Sequence, residues 1–115
     1  MAVSAEASGT QTAVIGTEHT LASVNAAGVY TLHVDKNAMA AGDVLELRIY
    51  RIILTGGTTR IAKVYVFSGA QLTDDLLFDS RPFGNEITDT DSLKFTLKQT
   101  FGIGRAFPWK VLKYA

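Results

Sequence analysis

The chain has 115 residues, equal numbers of basic and acidic side chains (11 each), no cysteine and only 19% charged residues. This length predicts one domain with its own core. The missing cysteine excludes disulfide scaffolds, thiolate zinc sites and thiol catalysis, and the zero net charge argues against a strongly basic nucleic-acid-binding protein. No apolar run is long enough to span a membrane, and Met1–Thr12 has no features of a signal peptide. We therefore expect a soluble domain with neither nucleic acid nor membrane as its partner.

The N-terminal segment Met1–Gly16 consists mainly of small and hydroxylated residues without a helical period. Such a segment has little to bury, so it predicts an N-terminal arm outside the domain, which then spans residues 17–115. The arm can be a mobile tail, or it can become ordered on a neighbouring subunit.

Short strands are predicted from Thr17 onward. Apolar and polar residues alternate in Val29–Val34, and they alternate most strongly in Asp43–Leu54. The segment Thr55–Thr58 contains two glycines and predicts a tight hairpin turn. Thr59–Phe67 is therefore expected to pair antiparallel with the strand before it.

The second half of the chain is less regular. Ser68–Thr90 contains Pro82, which is restricted to an edge strand or a loop. Ser92–Thr100 alternates clearly and predicts another strand. Phe101–Gly104 is a glycine-rich turn, and Arg105–Tyr114 is the last predicted strand.

About seven or eight strands, separated by turn signals, predict an all-β fold: an antiparallel β-sandwich of the jelly-roll type. A βαβ architecture is excluded, because no long helical segment separates the strands. The predicted core contains the apolar residues of the alternating faces. They are Leu21, Tyr30, Leu32, Val34, Leu45, Leu47, Ile49, Val64, Val66, Leu93, Phe95, Leu97, Phe107, Trp109 and Val111.

Histidines and carboxylates offer one possible metal site. His19 and His33 are the two histidines of the chain, and a cupin-like enzyme would need them to converge with Glu18 or Asp35. Their spacing gives no support for this, and two outward-facing histidines are the simpler interpretation. Neither a nucleophile elbow nor a phosphate-binding glycine loop occurs. We therefore predict a protein that is not an enzyme, with no catalytic residue, cofactor or metal.

Two other ligand classes receive weak support. Residues Asp89–Asp91 offer alternating oxygens to calcium but lack the glycine and glutamate of an EF-hand loop, so solvated loop charges are the default interpretation. Arg48 and Arg60 could flank Tyr50 and bind single-stranded nucleic acid by charge and stacking. Cross-strand pairing of these arginines with Glu46 is the more ordinary use of such residues.

Several apolar and aromatic residues fall outside the predicted inward faces. Interface cores are enriched in aromatic residues and depleted of charge. Some of these residues could cap the ends of the sandwich, and the others would need an oligomer or a partner to cover them. The candidate interface residues are Tyr50, Tyr65, Leu77, Phe78, Phe83, Phe101 and Tyr114.

Two stretches of the chain carry a family resemblance. They are Gly16–Ile49 (GTEHTLASVNAAGVYTLHVDKNAMAAGDVLELRI) and Phe95–Leu112 (FTLKQTFGIGRAFPWKVL), joined by the hairpin LTGGTTR at Leu54–Arg60. Together they resemble small structural proteins of tailed bacteriophages, including the jelly-roll cement, or decoration, proteins of short-tailed phages. The resemblance implies a non-enzymatic virion protein, made in the bacterial host cytoplasm. It would bind the major capsid protein on the outer capsid surface as a dimer or trimer and stabilise the head.

The alternative hypothesis is a carbohydrate-binding β-sandwich module of a phage tail or fibre protein. In that case Tyr50, Tyr65 or Trp109 would form an exposed platform on which sugar rings stack. Burial of Trp109 in the core would argue against this hypothesis.

Overall fold

Two antiparallel sheets pack against each other in the structure, a computed structural model that describes residues 2–114. The described residues form nine strands and one 3-10 turn at Thr73–Asp75. The strands are β1 (Val3–Thr12), β2 (Glu18–Val24), β3 (Gly28–Asp35), β4 (Val44–Arg51), β5 (Arg60–Ser68), β6 (Leu77–Asp79), β7 (Phe83–Asn85), β8 (Leu93–Phe101) and β9 (Ala106–Tyr114). The prediction of an antiparallel β-sandwich is confirmed, with nine strands where seven or eight were expected.

The strand order is that of a jelly roll. Sheet A has the order β1-β9-β3-β6, with β7 also paired to β3, and sheet B has the order β2-β8-β4-β5. When β6 and β7 are counted as one edge strand, each sheet has four strands. The chain then changes sheet at every connection except the β4–β5 hairpin. Two four-stranded sheets connected in this way form the double Greek key of the jelly roll.

A proline divides the edge strand of sheet A into β6 and β7. Asp79 of β6 pairs with His33, and Phe83 of β7 pairs with Tyr30, so both strands run along β3. Pro82 lies between them and has no backbone N–H to donate to the sheet. The predicted position of Pro82 at an edge is therefore confirmed.

The segment expected to be a separate arm, Met1–Gly16, instead contributes a strand. Met1 lies outside the described residues, but β1 pairs antiparallel with β9 along its whole length. Ala7 packs against the core, and Gly9 leaves room for the indole of Trp109, whose Nε1 lies 3.5 Å from where a Cβ would stand. The sequence did not reveal β1 because its residues are mainly small and show no hydrophobic alternation.

The core lies between the inner faces of the two sheets, as predicted, except along β5. Val64 and Val66 were expected inside, but they face solvent, whereas Tyr65 and Phe67 pack against the core. The residue paired with Val64 is Arg48, on the outer face of sheet B. Neither face of β5 is clearly polar, so the alternation in the sequence could not identify the inner one.

Candidate functional site

Four connections meet at one end of the sandwich, which we call the loop end. Hydrogen bonds link them: Ala13 N–H donates to the Arg105 carbonyl at 2.8 Å, and Gly69 N–H donates to the Asp43 carbonyl, also at 2.8 Å. The Lys36 ammonium donates to the Gln71 side chain at 3.0 Å. The connections are residues 13–17 (β1–β2), 36–43 (β3–β4), 69–76 (β5–β6) and 102–105 (β8–β9).

Asp43 is the buried centre of the loop end, with only 1% of its surface exposed. Its Oδ2 accepts hydrogen bonds from Ala40 N–H at 2.9 Å and from Arg105 Nε at 2.8 Å, and its Oδ1 accepts one from Ile103 N–H at 3.3 Å. Burial alone raises the pKa of this carboxyl, but these donors outweigh burial and lower the pKa below its ordinary value. The carboxylate is therefore a fixed negative anchor for two connections.

Gln99 fixes the backbone of the β8–β9 connection from inside. The side chain is fully buried, and its Nε2 donates to the carbonyls of Phe101 at 3.0 Å and Ile103 at 2.8 Å. Its Oε1 accepts from Arg105 N–H at 3.1 Å. A buried amide with all these partners satisfied holds the loop in one conformation.

Two glycines allow these connections to approach each other. Gly102 has a φ of +96°, and a Cβ built there would collide with the Asp43 carboxylate. A Cβ at Gly104 would collide with the Ala13 carbonyl of the neighbouring connection. Glycine is thus required at both positions, which explains the GxG pattern of the sequence.

Apolar side chains project outward from this fixed backbone. Phe101 is 66% exposed and Ile103 is 70% exposed, and Val14 and Ile15 of the adjacent β1–β2 connection are exposed as well. We call these four residues the apolar tip. Exposed apolar residues grouped on an ordered backbone are typical of surfaces that bind another protein.

Two predicted interface residues are core residues instead. Phe78 and Phe83 are only 8% and 1% exposed, respectively, because they are the inward-facing residues of the short strands β6 and β7. The ring of Tyr65, another predicted interface residue, is half-buried and lies edge-on against Phe78, with 4.7 Å between ring centroids. The irregular sequence around Pro82 concealed the alternation that would have identified these inward positions.

The other predicted interface residues are not gathered on one surface. Leu77 and Phe101 are exposed, as expected, but Leu77 lies on β6 of sheet A and Phe101 lies at the loop end. Tyr114 is half-buried at the end of β9, where its hydroxyl accepts a hydrogen bond from Thr31 at 3.3 Å. Of the residues expected at an interface, Phe101 alone belongs to the apolar tip.

Tyr50 is part of a polar network on the outer face of sheet B. Its hydroxyl donates to Glu18 at 2.6 Å, and the same carboxylate accepts hydrogen bonds from Thr96 at 2.7 Å and Arg48 at 3.3 Å. Burial raises the pKa of Glu18, but the hydrogen bonds from Tyr50 and Thr96 and the charge of Arg48 lower it overall. Glu46 also binds Arg48, so this arginine, one of the two considered for nucleic-acid binding, is paired with two carboxylates.

His33 belongs to a chain of polar groups on the outer face of sheet A, beside a cleft of about 340 Å³. Its Nδ1 lies 2.6 Å from Asp79 Oδ1, and its Nε2 lies 2.8 Å from the Thr31 hydroxyl. This alignment resembles a hydrolase relay, but Thr31 is buried and therefore inaccessible to a substrate. The hydrogen bonds of His33 instead fasten β6 to β3.

The two histidines do not converge. His19 lies on β2 of sheet B, where its Nε2 accepts a hydrogen bond from Val14 N–H at 3.1 Å, whereas His33 lies on β3 of sheet A. In residues 2–114, no group of three or more histidine, aspartate or glutamate side chains is arranged to hold a metal ion. The cupin-like arrangement suggested by the sequence is therefore not formed.

The three aromatic residues considered as a sugar-stacking platform also lie apart. Tyr50 is on the outer face of sheet B beneath the Lys94 ammonium, 4.6 Å from the ring centroid. Tyr65 faces inward, and Trp109 packs partly buried over Gly9 in sheet A. These residues form no common exposed surface.

Fold and site together define a jelly-roll sandwich with a rigid, apolar loop end. Comparison of the chain with protein-family models, curated proteins and solved structures found no match. Within residues 2–114, no helix has the length and apolar character needed to cross a membrane.

Proposed function

We propose that this chain is a non-enzymatic structural protein of a tailed-phage virion, a cement or decoration protein that binds the outer capsid surface through its apolar tip. The observation that carries the proposal is the exposure of Phe101 and Ile103 on a backbone fixed by Asp43 and Gln99. The family resemblance of Gly16–Ile49 and Phe95–Leu112 supplies the capsid as the binding partner.

The rigidity of the loop end favours this use. A loop that is already ordered loses little conformational entropy when it binds, so more of the contact energy appears as affinity. Arg105, the charged residue of the β8–β9 connection, is paired with the buried Asp43. Binding through Phe101 and Ile103 therefore does not require the desolvation of an unpaired Arg105.

A capsid lattice suits a small binding surface of this kind. Each copy of the chain offers few contacts, but many identical positions on a shell permit many copies to bind, and linked copies gain avidity. The major capsid protein is the proposed partner. The proposed location is the outside of the head, after synthesis in the bacterial host cytoplasm.

The test is binding to shells assembled from the major capsid protein of the same phage. The chain is mixed with expanded shells and sedimented, and the bound fraction is measured. We expect saturable binding by the natural chain and at least a tenfold loss for the double variant Phe101→Ser and Ile103→Ser. The matched control is Leu54→Ser and Leu77→Ser, which removes two equally exposed apolar residues elsewhere.

Two results would overturn the proposal. One is the absence of the natural chain from sedimented shells and from purified virions. The other is unchanged binding by the apolar-tip variant, provided that its circular dichroism spectrum shows the folded sandwich. A reconstruction of the particle should show the loop end against the shell.

A further inference from the structure

Strand β1 is an edge strand with one side unpaired within the chain. Its other side pairs with β9, and a register shift lies between Ala5 and Ala7. From Ala7 to Thr12 the pairing is regular, and this segment contains no charged residue and no proline. Edge strands normally carry such features because an open, regular edge recruits another strand.

Each of the other sheet edges carries a charge, a proline or a register shift. On β5, Lys63 lies opposite the buried Ile49, so a charge stands at the inner face of that edge beside a register shift. The β6–β7 edge is interrupted at Pro82. On β2, the pairing shifts between Thr20 and Ala22. Among residues 2–114, Ala7–Thr12 is the longest edge segment that has regular pairing, no charged residue and no proline; Val64–Ser68 of β5 is shorter.

We propose that two copies of this chain pair antiparallel through Ala7–Thr12 across a two-fold axis. The pairing joins the two A sheets, each of four strands when β6 and β7 are counted as one, into a continuous eight-stranded sheet. A two-fold axis presents the same surface from both copies, so the segment needs to be complementary only to itself. It extends β-sheet hydrogen bonding from one copy to the other.

Charge and side-chain size select the register. An axis at Glu6 would place two carboxylates opposite each other and would use the irregular part of β1, and both effects oppose pairing. An axis at Gly9 avoids this and sets Ser8 opposite Thr10 of the second copy. Hydroxyl side chains in cross-strand positions can form hydrogen bonds. The small residues of the segment also permit the two sandwiches to approach.

We favour a second copy of this chain as the strand that pairs with Ala7–Thr12. Two identical uncharged segments can lie side by side without charge repulsion, and Ala7–Thr12 has no charge pattern that would select a different strand. The proposal does not depend on capsid binding. It is tested with the isolated full-length chain, so its failure is separate from failure of the proposed function.

The first experiment measures the mass of the chain in solution by light scattering across the micromolar range. We expect a dimer for the natural chain and a monomer for the double variant Ser8→Lys and Thr10→Lys, which places four ammonium groups around the axis. The control Thr58→Lys and Ser68→Lys adds the same charge at other exposed positions and should remain dimeric. A monomeric natural chain, or a dimer that the first variant does not dissociate, overturns the proposal.

The second experiment tests the register by disulfide formation, which is unambiguous because the chain has no cysteine. The double variant Ser8→Cys and Thr10→Cys should form a covalent dimer under mild oxidation, because these positions face each other in the proposed register. Either single variant should remain unlinked, since positions two residues out of register exceed the roughly 7 Å limit on Cα separation in a disulfide. Efficient linkage of a single variant would contradict an axis at Gly9.

Discussion

Asp43 and Arg105 lie 62 residues apart in the chain and form an ion pair with 2.8 Å between Oδ2 and Nε. Asp43 directly precedes β4 of sheet B, and Arg105 directly precedes β9 of sheet A. The pair therefore ties the two sheets together at the loop end. Because Asp43 also accepts a hydrogen bond from Ile103, the same carboxylate sets the shape of the loop that exposes the apolar tip.

Substitution of Gly102 by alanine should disrupt this arrangement. Gly102 has a positive φ, and the added methyl group would collide with the Asp43 carboxylate. Strain of this kind costs on the order of 1–3 kcal/mol before any loss of the ion pair is included. We expect the free energy of unfolding, measured in urea, to fall by at least about 2 kcal/mol.

The matched control is Gly84→Ala, at a position where an added Cβ would meet no atom within 4 Å. Its free energy of unfolding should stay within about 0.5 kcal/mol of the natural value. Equal effects of the two substitutions would contradict the close contact between Gly102 and Asp43.

The lowered pKa of Asp43 predicts a stability that depends on pH. A carboxyl whose pKa is lower in the folded chain stabilises the fold above its ordinary pKa of about 4, and this contribution is lost as the pH falls toward the folded-state value. We expect Asp43→Asn to cost about 2–3 kcal/mol at pH 7, because the amide presents N–H groups to donors and leaves Arg105 without its partner. Urea unfolding at several pH values measures both effects.

The variant should also be less sensitive to acid than the natural chain. Between pH 5 and pH 3 the difference in unfolding free energy between the two should shrink, since protonation removes from the natural chain the charge that the variant already lacks. Asp74→Asn, at an exposed carboxyl, is the control for the removal of one negative charge. A constant difference across this pH range would refute the role of the Asp43 charge.

The strands that alternate strongly in the sequence are the ones that could be predicted. In three of these strands, β3, β4 and β8, the residues of one face are buried in the core. The period-two pattern of apolar residues therefore identified both the strands and their inward-facing residues. β1 could not be found in this way because its residues are mainly small and do not alternate between apolar and polar. On β5 both faces are apolar, and the inner one is decided by pairing with β4.

The loop end could be predicted from the sequence only in part. The glycines of Phe101–Gly104 indicated a turn, and Phe101 was recognised as an interface candidate. Nothing in the local sequence revealed that Asp43 would support that turn, because it lies 60 residues before Ile103 and 62 residues before Arg105. Gln99 is close in sequence to the residues that it binds, but the alternation of β8 does not show that its amide would bond the backbone of the turn. Buried polar residues interrupt no obvious pattern when they lie at the ends of strands.

Removal of Met1–Thr12 tests whether β1 is part of the domain. The deletion strips β9 of one neighbour and uncovers the edge of the core near Ala7 and Trp109. We expect the melting temperature to fall by about 10 °C or more, which corresponds to roughly 2 kcal/mol for a domain of this size. Differential scanning calorimetry gives the measurement, and an unchanged melting temperature would restore the interpretation of this segment as a separate arm.

Phe78 and Leu77 are neighbours in β6 that point to opposite faces, and they provide the sharpest test of the side-chain assignments. Phe78 is 8% exposed and packs edge-on against Tyr65 and Phe67, with centroid distances of 4.7 and 5.3 Å, whereas Leu77 is 72% exposed. Truncation of a buried phenylalanine costs about 3–5 kcal/mol, so Phe78→Ala should destabilise the chain by about 3 kcal/mol. Leu77→Ala should change stability by less than about 0.5 kcal/mol, because its side chain is already in solvent. Chemical unfolding of both variants decides the matter. Similar losses for the two would contradict the assignment of Phe78 to the core, and a larger loss for Leu77→Ala would mean that Leu77 faces the core and Phe78 faces outward.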